Sequence, residues 1–469
     1  MTEIISLECD HIKVRSKIDD NEYVIESSLP AVIQVRAESM KRVPVSFRHR
    51  MDALKKPITV LSAEDLSSEE IFGYRNSPTR VRKLFAPDRT RVPTFYRGEE
   101  ALAQWRLILE KDENVNESAA NKAPPQSVKP CDPAQTIKGI EEPEAPILVY
   151  LEADKKGFQI GLELLSKLQA CGAKALYAVS IIAKSPESSE QSIKRALIKT
   201  VGENLYTSLL RNVVCLTIIE HNASTLTIEA CSLHLTRYLK ERHAGLCLLP
   251  ATDHGRSVGP LTAAALKTGI TADVTDLRYV KGQWEQVRPA YGGQVFATIV
   301  TPDHRPVLAT VRPHIFAIAL RDDDKGVVAI ERAEEMCTQK TKVLSVEACE
   351  RETTIDDAER LLIIGGAITT EDERDRLIAF SEENDMEWGV TRALVQGYLA
   401  PHERQIGVSG LTVAPDLAIL IGASGSVQTM SGLRRAKRVI AINHDEDAPI
   451  FDDVDVALVG RWQDFVEVI

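Results

Sequence analysis

Leu417-Ala418-Ile419-Leu420-Ile421 runs without a polar residue into Gly422-Ala423-Ser424-Gly425. A short, wholly apolar run suits a strand buried on both faces, and glycine at its end admits a tight turn into a helix. The same grammar surrounds it. Leu361-Leu362-Ile363-Ile364 enters Gly365-Gly366, and Val439 to Ile442 ends at Asn443. In an open parallel sheet, ligands sit beyond the carboxyl ends of the strands, where glycine lets the backbone approach and N–H groups can meet phosphate. Residues 345–469 therefore read as an α/β block with a nucleotide site at these turns. No complete G-x-G-x-x-G or Walker pattern is present, so on chemistry alone a plain tight βα connection accounts for the same glycines.

The pattern recurs upstream. Pro146 to Leu151 is apolar, Phe158, Leu162, Leu165 and Leu168 follow at helical spacing, and Gly172 closes the unit. Ala175 to Ile181, Val213 to Ile219 and Gly245 to Pro250 repeat the apolar run, with a helical stretch over Ile228 to Leu239. This alternation predicts a second parallel sheet, flanked by helices, within residues 146–335. Gln294 to Val300 and Pro306 to Val311 flank a turn of Pro, Asp and His and read as a β-hairpin.

Residues 111–145 carry repeated Pro, Asn, Ser, Glu and Lys with almost no large apolar side chain, the composition of a linker. They set off a first block, residues 1–110. Within it, Leu29-Pro30-Ala31-Val32-Ile33-Gln34-Val35 reads as a buried strand that needs neighbours on both sides.

A chain of 469 residues exceeds what one core usually organises. The net charge of −11 offers no global field for a phosphate backbone, so nucleic acid is not an expected partner. No run approaches the about 18 apolar residues of a membrane span, and Met1-Thr2-Glu3-Ile4 lacks the order of a signal peptide. The expectation is a soluble cytoplasmic protein without membrane insertion, or a mitochondrial matrix protein in a eukaryote, although no clear transit peptide is seen. The eight cysteines are scattered without C-x-x-C spacing, which disfavours zinc and iron–sulfur sites and gives no metal ligands. Ser424 departs from the nucleophile elbow in its last spacing, and His254 reads as a residue at a helix start.

Three ordered segments carry a resemblance: Gly407-Val408-Ser409-Gly410-Leu411-Thr412-Val413-Ala414-Pro415-Asp416-Leu417, Gly422 to Gln428, and Ala441-Ile442-Asn443-His444-Asp445-Glu446-Asp447-Ala448-Pro449-Ile450-Phe451. Thr271-Ala272-Asp273, Arg288 to Gly293 and Ala309-Thr310-Val311-Arg312-Pro313 add to it. Together they resemble the alpha subunit of electron transfer flavoproteins over residues 146–469. The resemblance implies an α/β fold of two doubly wound parallel-sheet domains. One, over 146–335, would be adenine nucleotide alpha hydrolase-like, and the other, over 345–469, Rossmann-like and FAD-binding.

It also implies a set of cofactor residues. Arg392, preceded by Thr391, would lie against the isoalloxazine, where a fixed cation favours reduced, anionic flavin. Ser409, after Ile406, Gly407 and Val408, would place its hydroxyl near the flavin N5. Ser424, Gly425, Ser426, Val427, Gln428 and Thr429 would carry the ribityl-pyrophosphate chain, and Asn443 would lie near the adenosine half. No residue is implied to act as a catalytic acid, base or nucleophile. Where the family places arginine and glycine after Gly365-Gly366, this chain has Ala367-Ile368. Thr429 stands where many members carry histidine, and Arg461 where aspartate is common. Arg461 is therefore expected to replace the lost cation beside the nucleotide.

Residues 1–110 resemble the C-terminal part of the family's beta subunit through Leu29 to Val35, Met51 to Ile58 and Asn76 to Val81. A beta-like partner chain supplying the missing half is the implied complement. The implied function is an electron carrier between a flavin dehydrogenase, such as an acyl-CoA dehydrogenase, and a quinone reductase or another flavoprotein. The alternatives are a component of flavin-based electron bifurcation and a structural subunit with weakened flavin binding.

Overall fold

The computed structural model describes residues 3–18, 21–33, 35, 45–62, 65, 76–86, 91–110, 145–184, 189–293, 295–319, 326–333, 340–348 and 355–466. The expected linker lies outside these residues except for Ala145, as do Cys131, Cys337 and Cys349.

The chain opens with strands β1 (Glu3–Leu7), β2 (His11–Ile18) and β3 (Asn21–Ser28), followed by helix α1 (Phe47–Leu54), strands β4 (Arg80–Phe85) and β5 (Thr94–Arg97), and helix α2 (Gly98–Leu109). The first α/β unit runs β6 (Ile147–Leu151), α3 (Lys155–Ala170), β7 (Leu176–Ile182), α4 (Glu190–Val201), α5 (Glu203–Leu210), β8 (Cys215–Glu220), α6 (Ile228–Glu241), β9 (Leu246–Pro250), α7 (Asp253–Ala265), β10 (Ile270–Val274), β11 (Asp276–Val280), β12 (Gln283–Ala290), β13 (Val295–Val300), β14 (Val307–Val311) and β15 (Val327–Arg332). After β16 (Thr341–Ala348) the second unit runs β17 (Arg360–Ile364), α8 (Glu371–Glu383), β18 (Glu387–Val390), α9 (Arg392–Gln396), β19 (Leu417–Ile421), α10 (Val427–Met430), β20 (Arg438–Asn443), β21 (Val456–Val459) and α11 (Trp462–Val466).

The first unit holds a seven-stranded parallel sheet in the order β10-β14-β9-β6-β7-β8-β15. Its central strands are largely apolar because helices cover both faces, α3, α4 and α5 on one and α6 and α7 on the other, while edge strands β10 and β15 keep polar residues such as Asp273 and Glu331. Cys231 and Cys247 lie inside this core, where burial pushes both thiols up to about 12. They behave as small hydrophobes.

The second unit is a parallel sheet ordered β18-β17-β19-β20-β21-β5. Side chains alternate between its two cores. Leu362, Ile364, Ile419, Ile421, Ile440 and Ile442 face α8 and α9, while Leu361, Ile363, Ala418, Leu420, Val439 and Ala441 face Ile406, Leu433 and Phe451. The edge strand β5 comes from the start of the chain, and α2 behind it buries Ala101, Trp105 and Ile108 in the first of these cores. The Trp105 indole N–H donates to the Phe465 carbonyl at 2.7 Å and its ring stacks on Phe380 at 5.8 Å.

Two sequence expectations are corrected. The apolar runs ending in Val300 and Val311 do not form a hairpin: β13 joins an antiparallel sheet β11-β12-β13-β4, whereas β14 enters the parallel sheet between β10 and β9. All five residues of β14 are buried, as a strand covered on both faces requires. Leu29 to Val35 is not a buried strand either. Residues 29–33 form no strand, Val32 is fully exposed and Val35 is 44% exposed, while Gln34 lies outside the described residues. The sheet beside it, β1-β2-β3-β16, takes its fourth strand from the segment between the two α/β units.

Candidate functional site

In the second sheet β18 lies on one side of β17 and β19 on the other, so the strand order reverses between β17 and β19. A crevice outside the carboxyl ends follows from that reversal. It is a cleft of about 570 Å³, reaching from Gly366 and Ala367 after β17, past Thr391 and Arg392 after β18, to the turn after β19 and to Asn443 after β20.

Its floor is made of close backbone approaches. Gly422 has φ +63° and a Cβ there would stand 2.8 Å from the Ala367 Cβ, while at Gly425, φ +77°, it would meet the Ile450 backbone at 2.3 Å. Only glycine satisfies both demands. Beyond it, among the described residues the N–H groups of Ser424, Gly425 and Ser426 donate to no backbone acceptor. The Ser426 side chain caps α10 by accepting from the Thr429 N–H at 3.4 Å, and the two hydroxyls are 3.1 Å apart.

At the other end, Gly407, φ +133°, lies against the Gln428 carbonyl, which accepts from the Val408 N–H at 2.9 Å. The amide of buried Gln405 donates to Ser409 Oγ at 2.7 Å. A serine hydroxyl that accepts one bond keeps its own hydrogen to give, so Ser409 can donate into the cleft. Arg392 is exposed along the wall, and with the Gln396 amide oriented to accept, its Nε and Nη2 lie 3.1 and 3.3 Å from the Gln396 oxygen. Buried Thr391 has no hydrogen-bond partner for its hydroxyl among the described residues. Such an orphan is costly unless a ligand satisfies it.

Of the residues expected from the sequence, Thr391, Arg392, Ile406, Gly407, Val408, Ser409, Ser424, Gly425, Ser426, Gln428, Thr429 and Asn443 all line the cleft. Val427 does not; its side chain turns toward Gly293 at the junction with the first unit. Arg461 does not either, being exposed at the start of α11 beyond β21. Asn443 serves the cleft as a brace, donating to the Ala423 carbonyl at 3.2 Å and accepting from the Asp445 N–H at 3.0 Å. Gln405 and Gln396 were missed by sequence reasoning, since nothing in their spacing marks them. Ala367 lies in the lining where an arginine was expected, and it leaves Arg392 as the charged side chain along that wall.

His254 lies outside this cleft, at the start of α7. Its Nε2 is 2.9 Å from the Tyr150 hydroxyl, and burial pulls the imidazole down to about 4. It is a neutral packing residue.

Two family models match the chain: an electron transfer flavoprotein domain over residues 188–349 and an electron transfer flavoprotein FAD-binding domain over residues 354–434. Asn443 and Arg461 fall beyond the second. A protein FixB from Clostridium saccharobutylicum is 32% identical over 240 residues, 50% of this chain and 71% of that protein. An electron transfer flavoprotein subunit alpha from Thermoanaerobacterium thermosaccharolyticum is 33% identical over 241 residues, 50% of this chain and 73% of that protein. The LctC subunit of a lactate dehydrogenase (NAD(+),ferredoxin) from Acetobacterium woodii is 33% identical over 238 residues, 50% of this chain and 56% of that protein. The free Thr391 hydroxyl, the unspent N–H groups of residues 424–426 and the glycine floor fit a flavin nucleotide. Among the described residues no helix is long and apolar enough to cross a membrane.

Proposed function

The chain belongs to the electron transfer flavoprotein alpha-subunit family, and we propose that it relays electrons through FAD held in the cleft between β17 and β19. The observation that supports this reading is the convergence there of an orphaned buried hydroxyl, unspent backbone N–H groups and a lone wall arginine. Bound FAD supplies a ring that takes up and gives away electrons one at a time. The protein's part is to hold and tune it.

In this reading the N–H groups of Ser424, Gly425 and Ser426 receive the pyrophosphate, and Asn443 fixes the turn that carries them. Arg392 sets a positive charge beside the ring, and Ser409, oriented by Gln405, offers its hydroxyl to a ring nitrogen. Ile406 and Val408 present apolar surface that excludes water. Arg461 contributes through the field of the carboxyl edge rather than by contact.

The proposed donor is a flavin dehydrogenase such as an acyl-CoA dehydrogenase, and the acceptor a quinone reductase or another flavoprotein. A beta-like partner chain is proposed to cover the exposed apolar side chains of residues 29–61, among them Val32, Phe47, Leu54 and Ile58. Electron bifurcation is the second reading, favoured by the likeness to the LctC subunit, whose enzyme is named for two electron partners. Two flavins per isolated complex support bifurcation; one supports simple relay.

The test is a titration of the full chain with FAD, followed by reductive titration of wild type and Arg392→Ala. One flavin per chain is expected, with the midpoint potential of R392A more negative by about 60 mV, the equivalent of tenfold for one electron. Wild-type protein without flavin absorbance in excess FAD overturns the reading.

A further inference from the structure

Arg312 belongs to the first α/β unit yet reaches the second with both terminal nitrogens. It follows β14 directly, is 2% exposed, and reaches the loop that precedes Ser409. One Nη2 donates to the Val408 carbonyl, and Nη1 lies 3.4 Å from both the Gly407 carbonyl and the Thr412 hydroxyl. A planar guanidinium can serve these acceptors together, which a lysine ammonium cannot do in one plane.

The guanidinium is itself held. Asp273 Oδ2 is 3.5 Å from Nη2, and Asp273 Oδ1 takes Arg256 Nε at 3.0 Å and Nη2 at 2.9 Å. Asp273 sits at φ +58°, a left-handed conformation unusual for a residue with a side chain, and its N–H donates to Thr310 Oγ1 at 3.1 Å. Strain of this kind persists where surroundings over-determine it, and here it turns the carboxylate between two arginines. Burial pulls the Arg312 pKa down and Asp273 opposes that shift. With both carbonyls of residues 407 and 408 drawn to Arg312, the Val408 N–H given to Gln428 and the Gly407 N–H given to Leu411, the loop has no polar backbone group left to turn.

We propose that Arg312 is a positioning residue for the flavin: from the neighbouring unit it locks the backbone of Gly407 and Val408, so that Ser409 keeps its hydroxyl toward the cleft. This rests on the reading of the cleft as the FAD site. Arg312 also places a second positive charge behind the loop. The effect therefore has two parts, geometry and charge, which different substitutions separate.

The experiment compares full-length wild type, Arg312→Ala and Arg312→Lys by FAD dissociation constant, flavin midpoint potential, and hydrogen exchange of residues 405–412 without flavin. R312A is expected to bind FAD at least about tenfold more weakly, to shift the potential negative and to exchange faster over 407–410. R312K restores the charge but not the fork, so the potential returns toward wild type while exchange stays fast. If R312A does not fold, R312K decides alone, and wild-type exchange with wild-type affinity in it overturns the proposal. Wild-type chain that takes no FAD overturns the cleft reading together with the role of Arg312. Wild type that takes FAD beside a folded R312A with unchanged affinity, potential and exchange overturns the role of Arg312 alone.

Discussion

The strand order turns back between β6 and β9 in the first parallel sheet and between β17 and β19 in the second, and the cleft described above lies at the second of these points. At the first of these points polar groups are paired within the protein. Glu152, 8% exposed, accepts from the Thr252 hydroxyl, and the start of α3 lies so near the end of β6 that a Cβ on Gly157 would come within 2.5 Å of the Glu152 carbonyl. Thr252 also caps α7 by accepting from the Gly255 N–H at 2.9 Å. At the second reversal the equivalent polar groups are left unspent, as Thr391 shows. Topology creates the opportunity for a ligand, and side-chain bookkeeping decides whether it is taken.

The two sheets differ again in where their strands come from. Those of the first lie within residues 147–332, whereas the second takes β5 and the covering helix α2 from before residue 110. Trp105→Ala should therefore cost the second unit about 3–5 kcal/mol, the usual range for emptying a buried tryptophan site. The lost indole also strips the Phe465 carbonyl of its donor. Urea unfolding followed by circular dichroism should show an earlier transition for the second unit while that of the first stays in place. A loss below about 1 kcal/mol would mean that β5 and α2 are an ornament on an independent sheet.

This borrowing also marks where sequence reading stops. The apolar runs of β6, β7, β8, β9, β17, β19 and β20 are legible because strands covered on both faces are mostly apolar, and the glycine turns locate the cleft because close backbone contact excludes any side chain. Thr94 to Arg97 is too short and too polar to announce itself, and its partner β21 lies some three hundred and sixty residues away, so nothing local pairs them. The hairpin expected from β13 and β14 failed for the complementary reason: neighbours in sequence with a good turn between them were claimed by two different sheets. Within the site, Thr391, Ser409 and Ser424 were found from family segments, whereas Gln405 and Arg312 act through contacts across loops and units that no spacing encodes.

A buried acid sharpens the comparison between the units. Glu163 on α3 faces the backbone N–H groups of residues 314–316 and Arg435 of the second unit, and burial raises its pKa from 4.5 to about 7. His314 Nδ1 stands 3.8 Å from the same carboxyl group. Because the folded-state value lies above the unfolded one, the neutral acid is favoured by folding. Stability from this group is complete below about pH 4.5, declines as pH rises toward 7, and is gone above it, a change of at most about 3 kcal/mol. Glu163→Gln keeps the neutral shape at every pH. The variant should match wild type near pH 4.5 and exceed it at pH 8, as read by melting temperature; a difference between the two that does not vary with pH would remove Glu163 from this role.

The last prediction makes the second crevice resemble the first. Ser424 is exposed and lines the cleft, and its backbone N–H is retained whatever its side chain, so Ser424→Trp adds bulk without touching a core. Filling the cleft in this way should weaken FAD binding about a hundredfold, equivalent to about 2.7 kcal/mol, with no loss of helix or melting temperature. The converse change, Thr252→Ala, opens the first crevice by one hydroxyl and removes the cap on α7. It should cost about 1 kcal/mol of stability and leave the flavin count at one per chain, because the wall there offers Glu152, a carboxylate that repels phosphate. Fluorescence titration with FAD on both variants checks the pair. If S424W retains wild-type affinity, or T252A gains a second flavin, the difference between the crevices does not lie in how their polar groups are spent.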